Sequence, residues 1–223
     1  MIQEAFRLEG KIAIVTGCDT GLGQGMAAAL AEAGCDIVGV NRKIPHETAE
    51  IINGLGRRFM AIQADLSQQD ALDFSEKDWD DVMNLNLKSV FFLSQAVARQ
   101  FLAQGNGGKI INIASMLSFQ GGIRVPSYTA SKSGVLGITR LLANEWAPQG
   151  INVNAIAPGY MATNNTQQLR EDSERNQEIV DRIPAGRWGT PDDLKGPVVF
   201  LASPASDYIH GYTLAVDGGW LAR

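Results

Sequence analysis

The chain has 223 residues, of which 45% are hydrophobic and 19% are charged, a composition typical of a globular protein with one substantial core. Its formal net charge of -5 argues against nucleic acid and anionic membrane surfaces as partners and favours a small molecule. The two cysteines, Cys18 and Cys35, form no CxxC pair, and there are only two histidines, so neither a disulfide framework nor a metal site is indicated.

The beginning of the chain mixes acids and bases around one short apolar run, which is not the pattern of a secretory signal. No apolar stretch approaches the length needed to span a bilayer. We therefore expect a cytoplasmic protein.

Strand-like apolar runs alternate with helical patterns along the chain. In order, the predicted elements are the strand KIAIVTG, a helix over 23–33, the strand CDIVGV, a helix over 47–55, the strand RRFMAIQAD, an amphipathic helix over 78–104, the strand KIINIAS, a helix over 128–147, the strand INVNAIAPG, a helix over 191–202 and the strand YTLAVDGG. Strands separated by helices indicate a parallel sheet with both faces covered. The sequence therefore predicts an α/β fold in one domain over 1–223.

The region 161–187 differs from the rest of the chain because it is polar and rich in Asn, Gln and Arg. It lies between a predicted strand and a predicted helix. Such a segment is a candidate lid over a binding site.

The first chemical signal is the glycine pattern VTGCDTGLGQG, which follows the first strand and opens the first helix. Glycines without Cβ atoms let backbone N–H groups approach a pyrophosphate, and the helix N-terminus favours its negative charge. In this strand, loop and helix context the pattern predicts dinucleotide binding, with a plain structural turn as the alternative. The predicted cofactor contacts in this loop are Gly17, Asp19, Thr20, Gly21, Leu22 and Gly23.

The end of the second strand bears on the choice of cofactor. Asn41 stands where an Asp or Glu would normally accept hydrogen bonds from the adenosine ribose of NAD, and its amide can still bond a ribose hydroxyl. The neighbouring Arg42 could pair with the 2′-phosphate of NADP, or be a solvated surface charge. Residue chemistry alone leaves NAD and NADP nearly even. Asp65 and Leu66, which close the third strand, are expected to border the adenine pocket.

The stretch VPSYTASKSG places Tyr128 four residues before Lys132. On a helix such residues share a face, and a neighbouring ammonium favours the phenolate, so we expect Lys132 to lower the pKa of Tyr128 and make it a usable acid or base. Ser115 ends the preceding strand, where the ligand crevice of a parallel sheet lies, and its hydroxyl can hold a carbonyl oxygen. An isolated YxxxK pair often occurs by chance, but the glycine loop and Ser115 favour the catalytic interpretation.

Together, TGxxxGxG from Thr16 to Gly23, Asn86 in NLNLKSVFF, Ser115 in NIAS, and Tyr128 with Lys132 resemble the short-chain dehydrogenase/reductase family in order and spacing. The resemblance runs from about Leu8 to the C-terminus. It implies a three-layer, Rossmann-like, doubly wound sheet of about seven strands.

The resemblance also implies a role for each member of a catalytic tetrad. Tyr128 exchanges a proton with the substrate oxygen, and Ser115 polarises that oxygen. Lys132 also binds the nicotinamide ribose, and Asn86 holds a water that relays protons to Lys132. The segment APGYMAT resembles the part of the family that lies along the nicotinamide, which implies cofactor contacts from Pro158, Gly159 and Thr163.

Within the family, stretches such as CDTGLGQGM, NAIAPGYMATNNTQQLR and AVDGGWLAR resemble bacterial dehydrogenases acting on 2-dehydro-3-deoxy-D-gluconate or 2-deoxy-D-gluconate. This implies a nicotinamide oxidoreductase acting on a hydroxyl or keto group of a small sugar acid. It favours NAD(H), with NADP(H) as the alternative because of Arg42. Family members of this kind also imply a homotetramer.

A sugar acid brings a carboxylate that a cation can bind. Arg124 lies between Ser115 and Tyr128 in sequence, beside the expected crevice, and is the main substrate candidate, with a surface role as the alternative. Gln120 could bond a sugar hydroxyl, and Arg170 and Arg187, near the ends of the candidate lid, are further cations.

Two other functions stay open at this point. A 3-oxoacyl or other carbonyl reductase of the same family would use the same tetrad. A non-catalytic nucleotide sensor would need only the glycine loop.

One departure from the family pattern lies between QADLSQQ and DALDFSEKDW. The family has there a helix and a strand ending in Asn-Asn-Ala-Gly, roughly thirty residues in all, and this chain has none of it. Without that strand a sheet would be left with a gap of about 4.8 Å and unpaired backbone groups. We therefore expect that a segment is missing near 69–70.

Overall fold

The structure is a computed structural model that describes residues 2–41, 43–63 and 75–223. Its strands are β1 Ile12–Thr16, β2 Asp36–Asn41, β3 Phe59–Gln63, β4 Gly108–Ile113, β5 Ile151–Pro158 and β6 Thr213–Val216. Its α-helices are α1 Gly21–Glu32, α2 His46–Gly54, α3 Glu76–Met83, α4 Ser89–Gln104, α5 Pro126–Trp146, α6 Gln167–Glu171, α7 Ser173–Arg182 and α8 Lys195–Ala202. Within these residues no helix combines the length and the apolarity needed to cross a bilayer.

The described strands form two sheets of three strands each, in the orders β1-β2-β3 and β4-β5-β6. The pairs β1 with β2, β2 with β3, and β4 with β5 are parallel. The prediction of a parallel α/β fold is therefore confirmed. The strand arrangement differs from the expected single sheet, because in the described part of the chain β1 pairs only with β2, and β4 only with β5.

Backbone contacts divide the chain into two compact units. The first, which we call the nucleotide unit, comprises Met1–Asp65, Pro158–Ser206 and Val216–Arg223. The second, which we call the tyrosine unit, comprises Leu66–Ala157 and Asp207–Ala215.

In the nucleotide unit, the alanine-rich α1 buries most of its length, including Met26 and Leu30. The sheet of this unit is well covered on one face only. On β1, Ile12 and Ile14 are 65% and 47% exposed, and on β3, Met60 and Ile62 are 62% and 52% exposed. Parallel strands normally bury both faces, so these side chains form an uncovered apolar surface.

In the tyrosine unit, β5 is buried along its whole length. Its sequence INVNAIAP is apolar except for the buried Asn152 and Asn154, and burial of both faces is expected of a strand inside a parallel sheet. Ile151 and Val153 of β5 pack with Leu142 of α5 and Ala98 of α4 in one core cluster. This packing fixes α5 against the sheet and so sets the position of the tyrosine and lysine on its first two turns.

The helix predicted over 78–104 is interrupted in the structure. The π-helical segment Asn84–Lys88 separates α3 from α4, and this segment packs against α5. The helix predicted over 191–202 begins instead with a 3₁₀ turn at Pro191–Leu194 that leads into α8. Hydrophobic periodicity does not distinguish these windings, because each of the two segments is only about one turn long.

Candidate active site

The glycine loop of the nucleotide unit is a tight turn that a side chain would block. Gly17 and Gly21 adopt positive φ angles of 65° and 58°, which L side chains rarely adopt. A Cβ atom on Gly23 would lie 1.9 Å from the carbonyl oxygen of Gly17. Thr20, the N-cap of α1, makes no side-chain hydrogen bond to the helix. The first N–H groups of α1 therefore lack a side-chain cap, which suits an anionic ligand.

Asn41 lies at the end of β2 and is only 4% exposed. Its Nδ2 donates to Cys18 Sγ at 3.3 Å, while its Oδ1 is buried and has no hydrogen-bond partner among the described residues. Such an orphaned acceptor is costly unless a ligand supplies a donor, and a ribose hydroxyl is a donor of the right kind. The residues of this loop therefore fit a dinucleotide. Arg42, Asp65 and Leu66, also predicted at this end of the site, lie outside the described residues.

The predicted nicotinamide-side residues also belong to the nucleotide unit. The N–H of Gly159 donates to Val216 O at 2.9 Å, and a Cβ there would lie 2.5 Å from Asp217 Cα. Pro158 is buried beside it. The Cγ2 of Thr163 lies 3.3 Å from the position that a Cβ of Gly21 would occupy. The structure therefore brings Thr163 to the glycine loop.

Ser115 and Tyr128 meet in the tyrosine unit. Ser115 follows β4 and caps the 3₁₀ turn Met116–Ser118, with its Oγ accepting from Leu117 N at 3.2 Å. Tyr128 lies in the first turn of α5, after the Pro126 that begins the helix. The Ser115 side chain lies close enough to the Tyr128 hydroxyl to lower the pKa of that group. The pair thus offers two hydroxyl groups to one substrate oxygen.

Lys132 lies beside Tyr128, as its spacing on the helix predicts, with its Nζ 5.6 Å from the centroid of the ring. Nζ donates to the carbonyl oxygen of Ile113 at 2.7 Å. Burial lowers the pKa of Lys132 to about 8. The ammonium therefore loses its proton more easily than an exposed lysine does.

The expected lowering of the Tyr128 pKa is not found. Burial raises this pKa, and the nearby Ser115 side chain lowers it by less. Sequence reasoning assumed that the ammonium would face the phenol oxygen, whereas Lys132 lies against the ring and bonds to Ile113. Tyr128 is consequently a neutral phenol at neutral pH.

Asn86 lies at the centre of the π-helical segment Asn84–Lys88 and is half-buried. The neighbouring Leu87 packs so closely on α5 that a Cβ on Gly134 would lie 2.7 Å from its Cδ2. A π turn offsets its side chains from the ordinary helical rows, and such turns frequently occur at functional sites. The NLNLK sequence alone carried no signal of this winding.

The predicted substrate residues differ in their surroundings. Arg124 is exposed and has a φ of 62°, a positive value that is rare for a residue with a side chain. Gln120 is half-buried near the 3₁₀ turn after Ser115. Arg187 forms an ion pair with Asp193 at 2.8 Å. Within the described residues no group of three metal-ligating side chains is present.

Two features of the candidate lid were not predicted from the sequence. Thr163 and Thr166 form a reciprocal capping box, which the TNNT spacing could have suggested. Arg170 Nη2 donates to the carbonyl oxygen of Thr163 at 3.0 Å, a contact that no local pattern indicates.

Comparison with known proteins identifies the family. The family model described as short chain dehydrogenase matches residues 11–73, and the model described as enoyl-(acyl carrier protein) reductase matches residues 61–221. The 2-dehydro-3-deoxy-D-gluconate 5-dehydrogenases of Escherichia coli (strain K12) and Dickeya dadantii (strain 3937) are 68% and 66% identical over 253 positions, covering 100% of this chain and of each relative.

A solved structure from Agrobacterium tumefaciens, described as a 2-deoxy-D-gluconate 3-dehydrogenase with bound NADP, is also similar. It has 53% identity and a TM-score of 0.94, and the match covers 98% of this chain and 99% of that one. The match to the E. coli relative spans 253 positions, thirty more than the 223 residues of this chain. These full-length matches point to the same family as the glycine loop and as the tyrosine and lysine on α5. The chain belongs to the short-chain dehydrogenase/reductase family.

Proposed function

We propose that this protein is an NAD(P)-dependent oxidoreductase that interconverts a hydroxyl and a keto group on a sugar acid of the 2-dehydro-3-deoxy-D-gluconate type. The observation that carries the proposal is the approach of the Ser115 side chain to the Tyr128 hydroxyl, beside the half-buried Lys132. The substrate class is supported by the names of the two relatives that are 68% and 66% identical.

The nicotinamide cofactor would be held by the glycine loop, Asn41 and Thr163. When bound, it supplies the hydride acceptor or donor of the reaction. Our preference for NAD(H) over NADP(H) stays part of the proposal. It is supported by the buried Asn41 Oδ1, which can accept from a ribose hydroxyl, while the A. tumefaciens relative holds NADP.

Ser115 and Tyr128 hold the substrate oxygen in this mechanism. In the oxidation direction Tyr128 first loses its own phenol proton, and the phenolate then takes the proton of the substrate hydroxyl. In the reduction direction the neutral phenol gives its proton to the carbonyl oxygen. Ser115 donates a hydrogen bond to the same oxygen and stabilises the charge that develops there. Because burial raises the pKa of Tyr128, the protonated form dominates at neutral pH, and this form suits reduction.

Lys132 is the next group in the path of the proton. With a pKa of about 8, it can give up and regain a proton near physiological pH, as a relay requires. Asn86 would hold a relay water from the π-helical segment that packs on α5. Arg124 would bind the substrate carboxylate, which is supported by its positive φ, since strained residues concentrate at functional sites.

The proposal includes a homotetramer in the cytoplasm. Support for the assembly comes from apolar side chains on α4 and α5, where Phe92, Leu102 and Leu141 are 53%, 50% and 48% exposed. Leu102, Leu141 and Trp146 also line a shallow cavity between these helices. An exposed apolar surface of this kind is typical of a protein–protein interface, and a second copy of the chain would remove it from water. Sedimentation equilibrium tests the assembly directly, and a tetramer is the expected species.

A steady-state assay with a substrate panel tests the activity. The enzyme is mixed with NAD⁺ or NADP⁺ and 2-dehydro-3-deoxy-D-gluconate, 2-deoxy-D-gluconate or gluconate, and the absorbance of the reduced nicotinamide is followed. A 3-oxoacyl thioester with NADH or NADPH serves as the comparison substrate. The proposal predicts turnover of the first two sugar acids. Turnover of the thioester alone would contradict it.

A further inference from the structure

Arg170 on α6 has an incomplete set of hydrogen bonds. Its Nη2 donates to Thr163 O at 3.0 Å, but its Nε is buried and has no partner in the part of the chain that the structure describes. Within the described residues no carboxylate lies at ion-pair distance from it. A buried N–H group without an acceptor lowers stability, and it does so more when the group is charged. The side chain therefore has donors left over for an anionic ligand.

Two other arginines of the same region differ in this respect. Arg175 pairs with Glu178 at 2.7 Å, and Arg187 pairs with Asp193 at 2.8 Å. Their charges are already balanced by carboxylates of this chain. Among the described residues, Arg170 has no carboxylate partner and donates to the carbonyl group of Thr163. Arg182, the other arginine of the candidate lid without a carboxylate partner, stacks on the Trp220 ring at 3.9 Å.

The contact with Thr163 fixes where the guanidinium lies. Thr163 N donates to Thr166 Oγ1 at 3.1 Å, and Thr166 Oγ1 donates to Met161 O at 2.6 Å. The backbone of Thr163 is therefore held on both sides. Because Thr163 Cγ2 lies 3.3 Å from the position of a Cβ on Gly21, Arg170 is separated from the first turn of α1 by this one residue.

The first turn of α1 is where an anion is expected. Its N-cap, Thr20, makes no side-chain hydrogen bond to the helix, so the N–H groups are free of a side-chain cap, and the helix dipole favours negative charge there. Guanidinium groups bind phosphates through paired, charge-assisted hydrogen bonds. An anion on α1 and the guanidinium beside Thr163 are complementary in charge.

We propose that Arg170 binds the pyrophosphate of the dinucleotide seated on the glycine loop and so links the candidate lid to the bound cofactor. This inference deepens the proposed function and depends on its cofactor site. A sugar-acid carboxylate has the same anionic chemistry, so the experiment must distinguish the two sources.

The test measures cofactor binding without any sugar acid. Dissociation constants of NADPH, NADH, ADP and adenosine are measured for the wild type, for Arg170→Met and for the matched control Arg175→Met. We expect Arg170→Met to weaken binding of NADPH, NADH and ADP by at least about tenfold, and to leave adenosine, which has no phosphate, unchanged. Arg175→Met should bind all four ligands like the wild type, because it loses only an exposed ion pair.

Two results would overturn the proposal. If Arg170→Met binds the dinucleotides normally but has a raised KM for the sugar acid, the anion is the substrate carboxylate. If neither quantity changes, Arg170 only braces Thr163.

The conservative variant Arg170→Lys tests whether a loss of binding in Arg170→Met results from misfolding. It keeps the charge, so ADP binding should fall less than in Arg170→Met. An equal loss of ADP binding in both variants, together with a lower Tm, would show a structural role and contradict the proposal. Because binding is measured without turnover, the proposed sugar-acid activity can fail while this inference holds.

Discussion

The Nζ atom of Lys132 lies 5.6 Å from the centroid of the Tyr128 ring and gives its hydrogen bond to the carbonyl oxygen of Ile113, 2.7 Å away. The two side chains are therefore adjacent without a hydrogen bond from the ammonium to the phenol oxygen. Burial then controls both groups. It raises the pKa of Tyr128 and lowers that of Lys132 to about 8.

The buried lysine should cost stability. Its pKa falls from 10.5 in the unfolded chain to about 8 in the folded one, so the unfolded state binds more protons between these values and stability rises with pH there. Below pH 8 the full cost is present. We expect Lys132→Met to raise the free energy of unfolding at pH 7 by about 1 to 3 kcal/mol, after allowing for the lost hydrogen bond to Ile113.

Urea denaturation at a series of pH values checks this prediction. The stability gain of Lys132→Met should shrink as the pH rises from 8 towards 10.5. Lys77→Met is the matched control, because Lys77 is exposed and its pKa is raised by the hydrogen bond with Asp81. That variant should show no gain. A gain for Lys132→Met that does not depend on pH would contradict the assignment of the cost to the charge.

The glycine loop should tolerate no side chain at Gly23. A Cβ there would lie 1.9 Å from Gly17 O, so Gly23→Ala must displace the loop, and we expect at least about tenfold weaker binding of NADH and NADPH. The matched control is Gly54→Ala at the end of α2, where a Cβ meets nothing within 4 Å. It should bind cofactor normally and gain up to about 1 kcal/mol of stability. Unchanged cofactor binding in Gly23→Ala would show that the loop is not the cofactor site.

A glycine substitution at Arg124 distinguishes the effect of backbone strain from the effect of the guanidinium group. Its φ of 62° suits glycine, so Arg124→Gly should keep or raise Tm while it removes the guanidinium. We expect the KM for the sugar acid to rise and the loss of substrate binding to reach at most about 2 to 5 kcal/mol. Arg99→Gly on α4 provides a comparison in which glycine should lower Tm without changing KM. A normal KM in Arg124→Gly would exclude Arg124 as the carboxylate ligand.

We propose that a helix and strand of the family are absent near 69–70, a position outside the described residues. The proposal is supported by the thirty additional positions of the E. coli match and by the exposed Ile12 and Ile14 of β1. Inserting the corresponding segment of that relative between Gln69 and Asp70 should raise Tm and the urea m value, because more apolar surface becomes buried. A Gly/Ser insert of the same length is the control. Equal effects of the two inserts would contradict the proposal.

Local patterns were sufficient for much of the site. The glycine loop could be located because strand, turn and helix follow one another in the chain, and Tyr128 and Lys132 because a spacing of four places two side chains on one helix face. The parallel α/β class followed from the alternation of strands and helices.

The remaining features depend on packing that no short window encodes. The pKa of Tyr128 was predicted in the wrong direction, because burial depends on elements distant in sequence. Lys132 lies on helix α5, and its carbonyl partner, Ile113, lies at the end of strand β4. The π-helical winding around Asn86 and the contact between Arg170 and Thr163 likewise depend on how helices pack and turns close.

The central claim is that Tyr128 performs acid and base catalysis on a sugar acid. The most direct measurement is the formation of reduced nicotinamide from 2-dehydro-3-deoxy-D-gluconate by the wild type and by Tyr128→Phe, with the exposed Tyr208→Phe as the control. The account predicts that kcat falls by about 10² to 10⁴ in Tyr128→Phe alone, while cofactor binding is kept. A Tyr128→Phe enzyme that oxidises the sugar acid at the wild-type rate would contradict it.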